Sequence, residues 1–173
     1  MIKYSSLLLL LSFGPVLGFG SRPDLTIVAS SSHSITVEFT PHNWSIHPRN
    51  IDQKTYTEFF FQNAQPTTTV GEPHIPGRVF TFGLPKGSTI SLAILDAEYE
   101  VIQNTTVLPV PAIKRLEIGF AEDYKATPDV YSSDGVFPED LFQISEPHQF
   151  REQYIAQVIV RPLQFVPARQ QVR

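Results

Sequence analysis

A chain of 173 residues, 42% of them hydrophobic, is long enough to bury a real core, and its length points to about one domain. The net charge of −4, with both signs interspersed, leaves no concentrated basic face, so no nucleic-acid partner is expected. The absence of cysteine excludes disulfides, thiolate metal sites and a cysteine nucleophile, and 13 phenylalanines are too many for a disordered tail.

Residues 1–18 read as a secretory signal. Lys3 supplies the positive start, Leu7 to Leu11 the apolar run, and Val16-Leu17-Gly18 the small-residue step, which places cleavage after Gly18. The run is shorter than the roughly 20 residues of a good membrane span, so no stable membrane insertion is expected once the signal is removed. Residues 19–173 would form the mature domain, secreted to the outside or to the cell surface.

Leu25 to Ala29 and Ser34 to Thr40 read as strands. In the second, Ile35, Val37 and Phe39 alternate with polar residues, the period of two of a half-buried strand. Pro41 to Pro48 reads as loop, Thr55 to Phe61 as strand, and Gln65 to Pro76 as irregular because prolines and a glycine punctuate it. Arg78 to Leu84 alternates again, with Phe80, Phe82 and Leu84 on one side. Thr89 to Leu95 and Glu98 to Gln103 read as strands about an Asp96-Ala97 turn, and Ile113 to Phe120 as a further one. Ala121 to Phe142 is a long loop. Arg151 to Arg161 is the last long strand, ended by Pro162, which has no N–H for a ladder. Many short strands with turns between them predict an all-β fold, an antiparallel β-sandwich of jelly-roll or Ig-like type with long proline-rich loops.

No catalytic constellation is legible. His33, His42, His47, His74 and His148 have no metal-ligand spacing, no serine sits in a nucleophile elbow, and the acidic residues fall on turns. The sequence therefore calls for no metal, no cofactor and no enzyme. Asp123, Asp129 and Asp134 match no defined calcium loop and read as solvated charges. Trp44, Tyr56, Tyr99, Tyr124 and Tyr131 could form a sugar platform or simply pack. An exported binding module for carbohydrate or cell-surface assembly is thus the alternative reading of the same fold.

Taken in order, Gly71-Glu72-Pro73-His74-Ile75-Pro76, then Phe82 to Gly87 with its Pro85-Lys86-Gly87 turn, then Val107 to Pro111, then Tyr131 with Phe137-Pro138-Glu139, and finally Val158 to Pro167 with Pro162, Gln164 and Pro167 form a series. That series resembles the amino-terminal propeptide of gingipain-type cysteine peptidases, over about Gly71 to Pro167. The resemblance implies a non-catalytic β-sandwich that helps a secreted cysteine endopeptidase fold and keeps it latent as a zymogen. Its partner would be a cysteine peptidase catalytic domain, in cis or in trans. It also implies that this chain lacks the family's last strand and any catalytic domain. A basic side chain entering the specificity pocket is part of that picture, with Lys114, Arg115 and Lys125 as candidates. Arg169 and Arg173 are candidates for proteolytic processing.

Overall fold

The computed structural model describes residues 7–12, 24–31, 33–42 and 44–173. Their strands are β1 (Leu7–Ser12), β2 (Leu25–Ser30), β3 (Ser34–Phe39), β4 (Trp44–Ile51), β5 (Lys54–Phe61), β6 (Gln65–Pro66), β7 (Pro76–Leu84) and β8 (Ser91–Ala97). Then follow β9 (Ala112–Arg115), β10 (Phe120–Asp123), β11 (Phe142–Ile144), β12 (His148–Phe150), β13 (Gln153–Val160), β14 (Phe165–Val166) and β15 (Gln171–Val172). One helical turn, α1 (Pro128–Tyr131), and a 3-10 turn at Pro167–Arg169 complete the set. The fold is all-β with antiparallel ladders. The proposed cleavage point, Gly18, lies outside the described residues.

The chain divides into two compact units. The first comprises Met1–His42, Val79–Glu100 and Phe142–Val160; the second comprises Asn43–Arg78, Val101–Leu141 and Arg161–Arg173. In the first, one sheet has the order β2-β3-β1-β8, so β1 is hydrogen-bonded on both sides, to β3 and to β8. A second sheet sets β13 between β11 and β7, and β12 also pairs with β13. Alternation explains the core. Ile35, Val37 and Phe39 of β3, Phe80, Phe82 and Leu84 of β7, and Ala156, Val158 and Val160 of β13 are every second residue of their strands, and all are buried. Phe39 meets Phe80 edge-on with ring centroids 5.7 Å apart.

The second unit is built on the β4–β5 ribbon and a set of short ladders. Its core is Phe59, Phe61, Ile75, Val107, Leu163, Phe165 and Val172. Proline-interrupted segments supply most of it, and isolated bridges hold them: Thr57 to Val107, Pro73 to Pro109, Ile102 to Val172 and Phe137 to Phe165. Gln164 is a buried polar residue whose donors and acceptor are all engaged. Its Nε2 donates to the carbonyls of Pro138 and Glu139, both at 3.0 Å, and its Oε1 accepts from Arg173 Nε at 3.1 Å.

Three stretches differ from the sequence expectation. Trp44–Ile51 is a strand although Pro48 lies within it; among the described residues β4 pairs only with β5, so the missing N–H falls on an edge with no other strand. Glu98 to Gln103 forms no strand, and only Ile102 pairs, with Val172. Ile113 to Phe120 is not one strand but the tip of a hairpin, because Gly119 takes φ +84° and turns the chain back.

Phe165 tests the second core. It is 1% exposed, exchanges 2.7 Å backbone hydrogen bonds with Phe137 and packs edge-on against Tyr131 at 5.8 Å. Phe165→Ala is expected to cost about 3–5 kcal/mol in denaturant unfolding.

Candidate functional site: a projecting hairpin and its root

Of the three basic candidates, Lys114 and Arg115 lie on the β9–β10 hairpin and Lys125 lies just beyond it. The hairpin's register sets Arg115 opposite Phe120, Lys114 opposite Ala121 and Ile113 opposite Glu122. Because side chains alternate, Ile113, Arg115, Phe120 and Glu122 share one face, and Ala112, Lys114, Ala121 and Asp123 share the other. The second face is tied internally. Asp123 Oδ2 accepts from Lys114 Nζ at 2.6 Å and faces Lys125 Nζ at 3.3 Å. The hydrogen bond from Lys114 is the main reason the Asp123 carboxyl titrates below its ordinary value, with Lys125 adding to it.

The first face is left open. Ile113 is 60% exposed and Phe120 72%, and beyond them Leu116 and Ile118 stand at the tip, Ile118 at 92%. Arg115 is exposed on this face and has no hydrogen-bond or ion-pair partner among the described residues. Of the three basic candidates, the two lysines are held to Asp123 and the arginine is not. An isolated two-stranded ribbon is marginal in water, and this one exposes apolar side chains that would otherwise be buried.

What holds the hairpin is its root. Gly71 N donates to the carbonyl of Val110, just before β9, at 2.9 Å. The carbonyl of Gly71 accepts from Thr127 N, just after β10, at 2.9 Å. One peptide neighbourhood thus ties both ends of the arm. Val110 N adds a 2.8 Å bond to the carbonyl of Glu72, and His74 N a 2.7 Å bond to that of Leu108. Thr57 brackets the same segment from its other side, donating to Thr106 O at 2.7 Å and accepting from Leu108 N at 2.9 Å. Gly71 sits at φ +85°, and a Cβ placed there would stand 2.4 Å from Thr127 Oγ1 and 3.0 Å from the Lys125 carbonyl. Only glycine fits.

The other motif residues also have structural positions. Pro73 is fully buried, and Pro76 opens β7. Pro85 and Gly87 make the turn after β7, Ser88 N donating to the Pro85 carbonyl at 3.1 Å with Gly87 at φ +80°. Phe137-Pro138 brings its carbonyls to Phe165 and Gln164, Pro162 follows β13, and Pro167 is buried at the start of the last turn. Arg169 is exposed within that turn, and Arg173 reaches Gln164.

Most of the proposed sugar platform is used for packing. Tyr56 is buried, Trp44 packs on Phe59 and Phe61 at 6.5 and 6.3 Å, and Tyr131 donates to the Val107 carbonyl at 2.8 Å. Burial, more than its other surroundings, pushes the Tyr131 phenol far above the ordinary tyrosine value. Burial also raises the Tyr124 phenol to about 12, helped by its 2.6 Å hydrogen bond to Glu122. Among the described residues no group of three or more His, Asp or Glu is arranged to hold a metal, and no helix is long and apolar enough to cross a membrane. A shallow cavity of about 300 Å³ at Asp129, Val130, Ser133, Gly135, Val136 and Phe137 gathers no set of convergent polar groups.

Two predictions follow from the root. Gly71→Ala is expected to lower stability by about 1–3 kcal/mol, because strain at φ +85° adds to the clash, and to raise amide exchange in 112–123 more than in β13. Burial holds the His74 imidazole below its ordinary pKa of 6.5, against a smaller opposing pull from Glu58, and its Nδ1 is buried with no partner among the described residues. The unfolded chain then takes up a proton that the folded one refuses, so stability is full above pH 6.5 and falls as the pH drops below it. Melting temperatures across that range should show the loss, and His74→Gln should flatten it.

The comparisons agree with this architecture. The chain matches the family Propeptide_C25 over residues 17–173. Among solved structures it is similar to "Complex of Porphyromonas gingivalis RgpB pro- and mature domains", with a TM-score of 0.76 and 17% identity over 89% of this chain and 79% of that one. It is also similar to "Structural insight into zymogenic latency of gingipain K from Porphyromonas gingivalis", with a TM-score of 0.69 and 18% identity over 87% of each chain. Among curated protein sequences none matches the chain. Gly71, Pro73 and Gln164, which carried the resemblance, are the residues that tie the root of the hairpin and close the second core. The chain belongs to the Propeptide_C25 family, the non-catalytic propeptides of gingipain-type cysteine peptidases.

Proposed function

We propose that this chain is exported, loses residues 1–18 and with them β1 from between β3 and β8, and serves a gingipain-type cysteine endopeptidase as folding assistant and latency inhibitor, acting in cis or in trans outside the cell. The observation that carries this reading is the β9–β10 hairpin: an arm tied at both ends by Gly71, with one unpaired guanidinium, Arg115, set beside exposed Ile113 and Phe120. An anchor of this kind fills a pocket by charge while its apolar neighbours exclude water around it. The firm root supports inhibition over turnover, because an arm that is already ordered loses little entropy on binding and resists the distortion that cleavage requires. The structural likeness to pro-domains, one of them in complex with its mature domain, supports the same partner class. Lys114 and Lys125 would have to leave Asp123 before entering a pocket, so Arg115 is the anchor.

The test is a titration of the purified chain against a gingipain-type peptidase. Stoichiometric inhibition is expected, weakened about 30-fold or more by Arg115→Ala, the loss of an anchor worth at least about 2 kcal/mol. Lys114→Ala and Lys125→Ala are expected to change it by less than about 5-fold, as for rim charges. An absence of inhibition at micromolar chain would exclude the role, and equal losses at all three positions would exclude Arg115 as anchor.

A further inference from the structure

In the four-stranded sheet of the first unit, one strand position is filled by residues of the proposed signal. β1 lies between β3 and β8, antiparallel to both, with Leu7 opposite Phe39 and Ala97, Leu9 opposite Val37 and Ile94, and Leu11 opposite Ile35 and Leu92. The Propeptide_C25 match begins at residue 17, so β1 lies before the matched residues. Removal of residues 1–18 takes β1 away and leaves two facing rows of backbone N–H and carbonyl groups. The strand most affected is β8, whose only ladder among the described residues is with β1. One wall of the opened slot faces the core: Ile35, Val37 and Phe39 are buried, and residues directly opposite one another share a face. An occupant must therefore be apolar at every second position.

The chain left behind is badly placed to refill the slot. Being both antiparallel to β1, β3 and β8 run parallel to each other. Closing them together would form the less stable parallel ladder and move β8 by a strand spacing of about 4.8 Å. The five residues between Gly18 and Asp24 span at most about 17 Å, less than the roughly 20 Å of one pass along a six-residue slot. They also lead into Leu25, which pairs with Phe39 from the other side of β3. Asp24 is pinned at that end, where it accepts from Thr40 N at 3.0 Å and from His42 N at 3.2 Å. The occupant must come in trans. β1 is apolar over five consecutive residues, whereas β8, the strand a second copy could lend, is charged at Asp96. An unfolded peptidase chain, by contrast, exposes the apolar strands of its own future core.

We propose that the slot between β3 and β8, opened by loss of residues 1–18, holds an extended apolar segment of the unfolded peptidase, and that this capture is how the chain assists folding. The segment enters antiparallel to both walls. Its backbone completes the two ladders, and its alternate apolar side chains meet the face that carries Ile35, Val37 and Phe39. Held there, an aggregation-prone strand is kept from pairing elsewhere until the peptidase's own core takes it. The slot rests on the reading that residues 1–18 are removed and that the chain assists folding. It is separate from inhibition, which belongs to the hairpin of the second unit.

The protein is taken as secreted by an expressing host, with its N-terminus read by mass. The probe is a dye-labelled peptide of residues 5–14, SSLLLLLSFG, with lysines added at its ends for solubility. A secreted chain beginning at Phe19 should bind it about 30-fold or more tightly than the unprocessed chain, whose slot is filled. A peptide carrying Leu9→Pro should lose most of that binding, because proline has no N–H for either ladder. Unlabelled peptide should return the yield of peptidase refolded with the secreted chain to the yield without it, and leave inhibition of the folded peptidase unchanged. A secreted chain that begins at Phe19 and binds no peptide overturns the slot alone. So does a refolding yield indifferent to the peptide, or a dimer that the peptide splits, since a second copy is then the occupant. A secreted chain that keeps Leu7–Ser12 overturns the export reading and the slot together.

Discussion

The second unit depends on the backbone of Gly71. Its N–H and its carbonyl serve the two ends of a 16-residue excursion, Val110 on one side and Thr127 on the other, and they do so at a φ that an L side chain resists. With no disulfide available, this is the cross-link that keeps the β9–β10 arm at a defined place on the unit. The same strip of chain continues the work: Pro73 lies buried against Pro109, and His74 holds Leu108. Segment 106–110 is thereby laddered on both sides, to Thr57 and to 72–74, and carries Val107 and Leu108 fully inward. Burial of that segment offsets the entropy of ordering a proline-rich stretch that has no regular strand of its own.

The arm itself divides its labour by face. Pairing of Lys114 and Lys125 with Asp123 neutralises charge on one side and leaves Arg115 as the unpaired cation on the other. Exposed surface pairs contribute little to stability, so this arrangement is better understood as controlling which charge is presented. Ile113 and Phe120 share the Arg115 face and Ile118 stands at the tip, leaving exposed apolar surface that water covers at a cost.

Regular alternation made the first unit's core readable in advance: Ile35, Val37 and Phe39, then Phe80, Phe82 and Leu84, then Val158 and Val160 all point inward as the period of two requires. Irregular chain was not readable in this way. β4 was hidden by His47-Pro48, since a proline is tolerated only because that edge of the ribbon has no other strand among the described residues. The hairpin was hidden because Ile113, Leu116, Ile118 and Phe120 let Ile113 to Phe120 pass for one strand, and a single glycine, Gly119, decides that it turns; that glycine inside the run was the signal that could have revealed it. The sugar-platform reading of Trp44, Tyr56 and Tyr131 gave way because aromatic rings look alike in sequence whether they pack or bind.

By itself the sequence determined the all-β class, the inward faces of the long strands and the spaced Gly, Pro and Gln motif, because these are set by local period and by residues with restricted backbone or hydrogen-bonding needs. The motif was also enough for the family. Only the tertiary structure decided which basic residue stands free, because Asp123 reaches Lys114 across a ladder and Arg115 points to the other face. It likewise decided that Val172 lies in the second core, since its bridge partner Ile102 lies far from it along the chain, where no local pattern records the pairing.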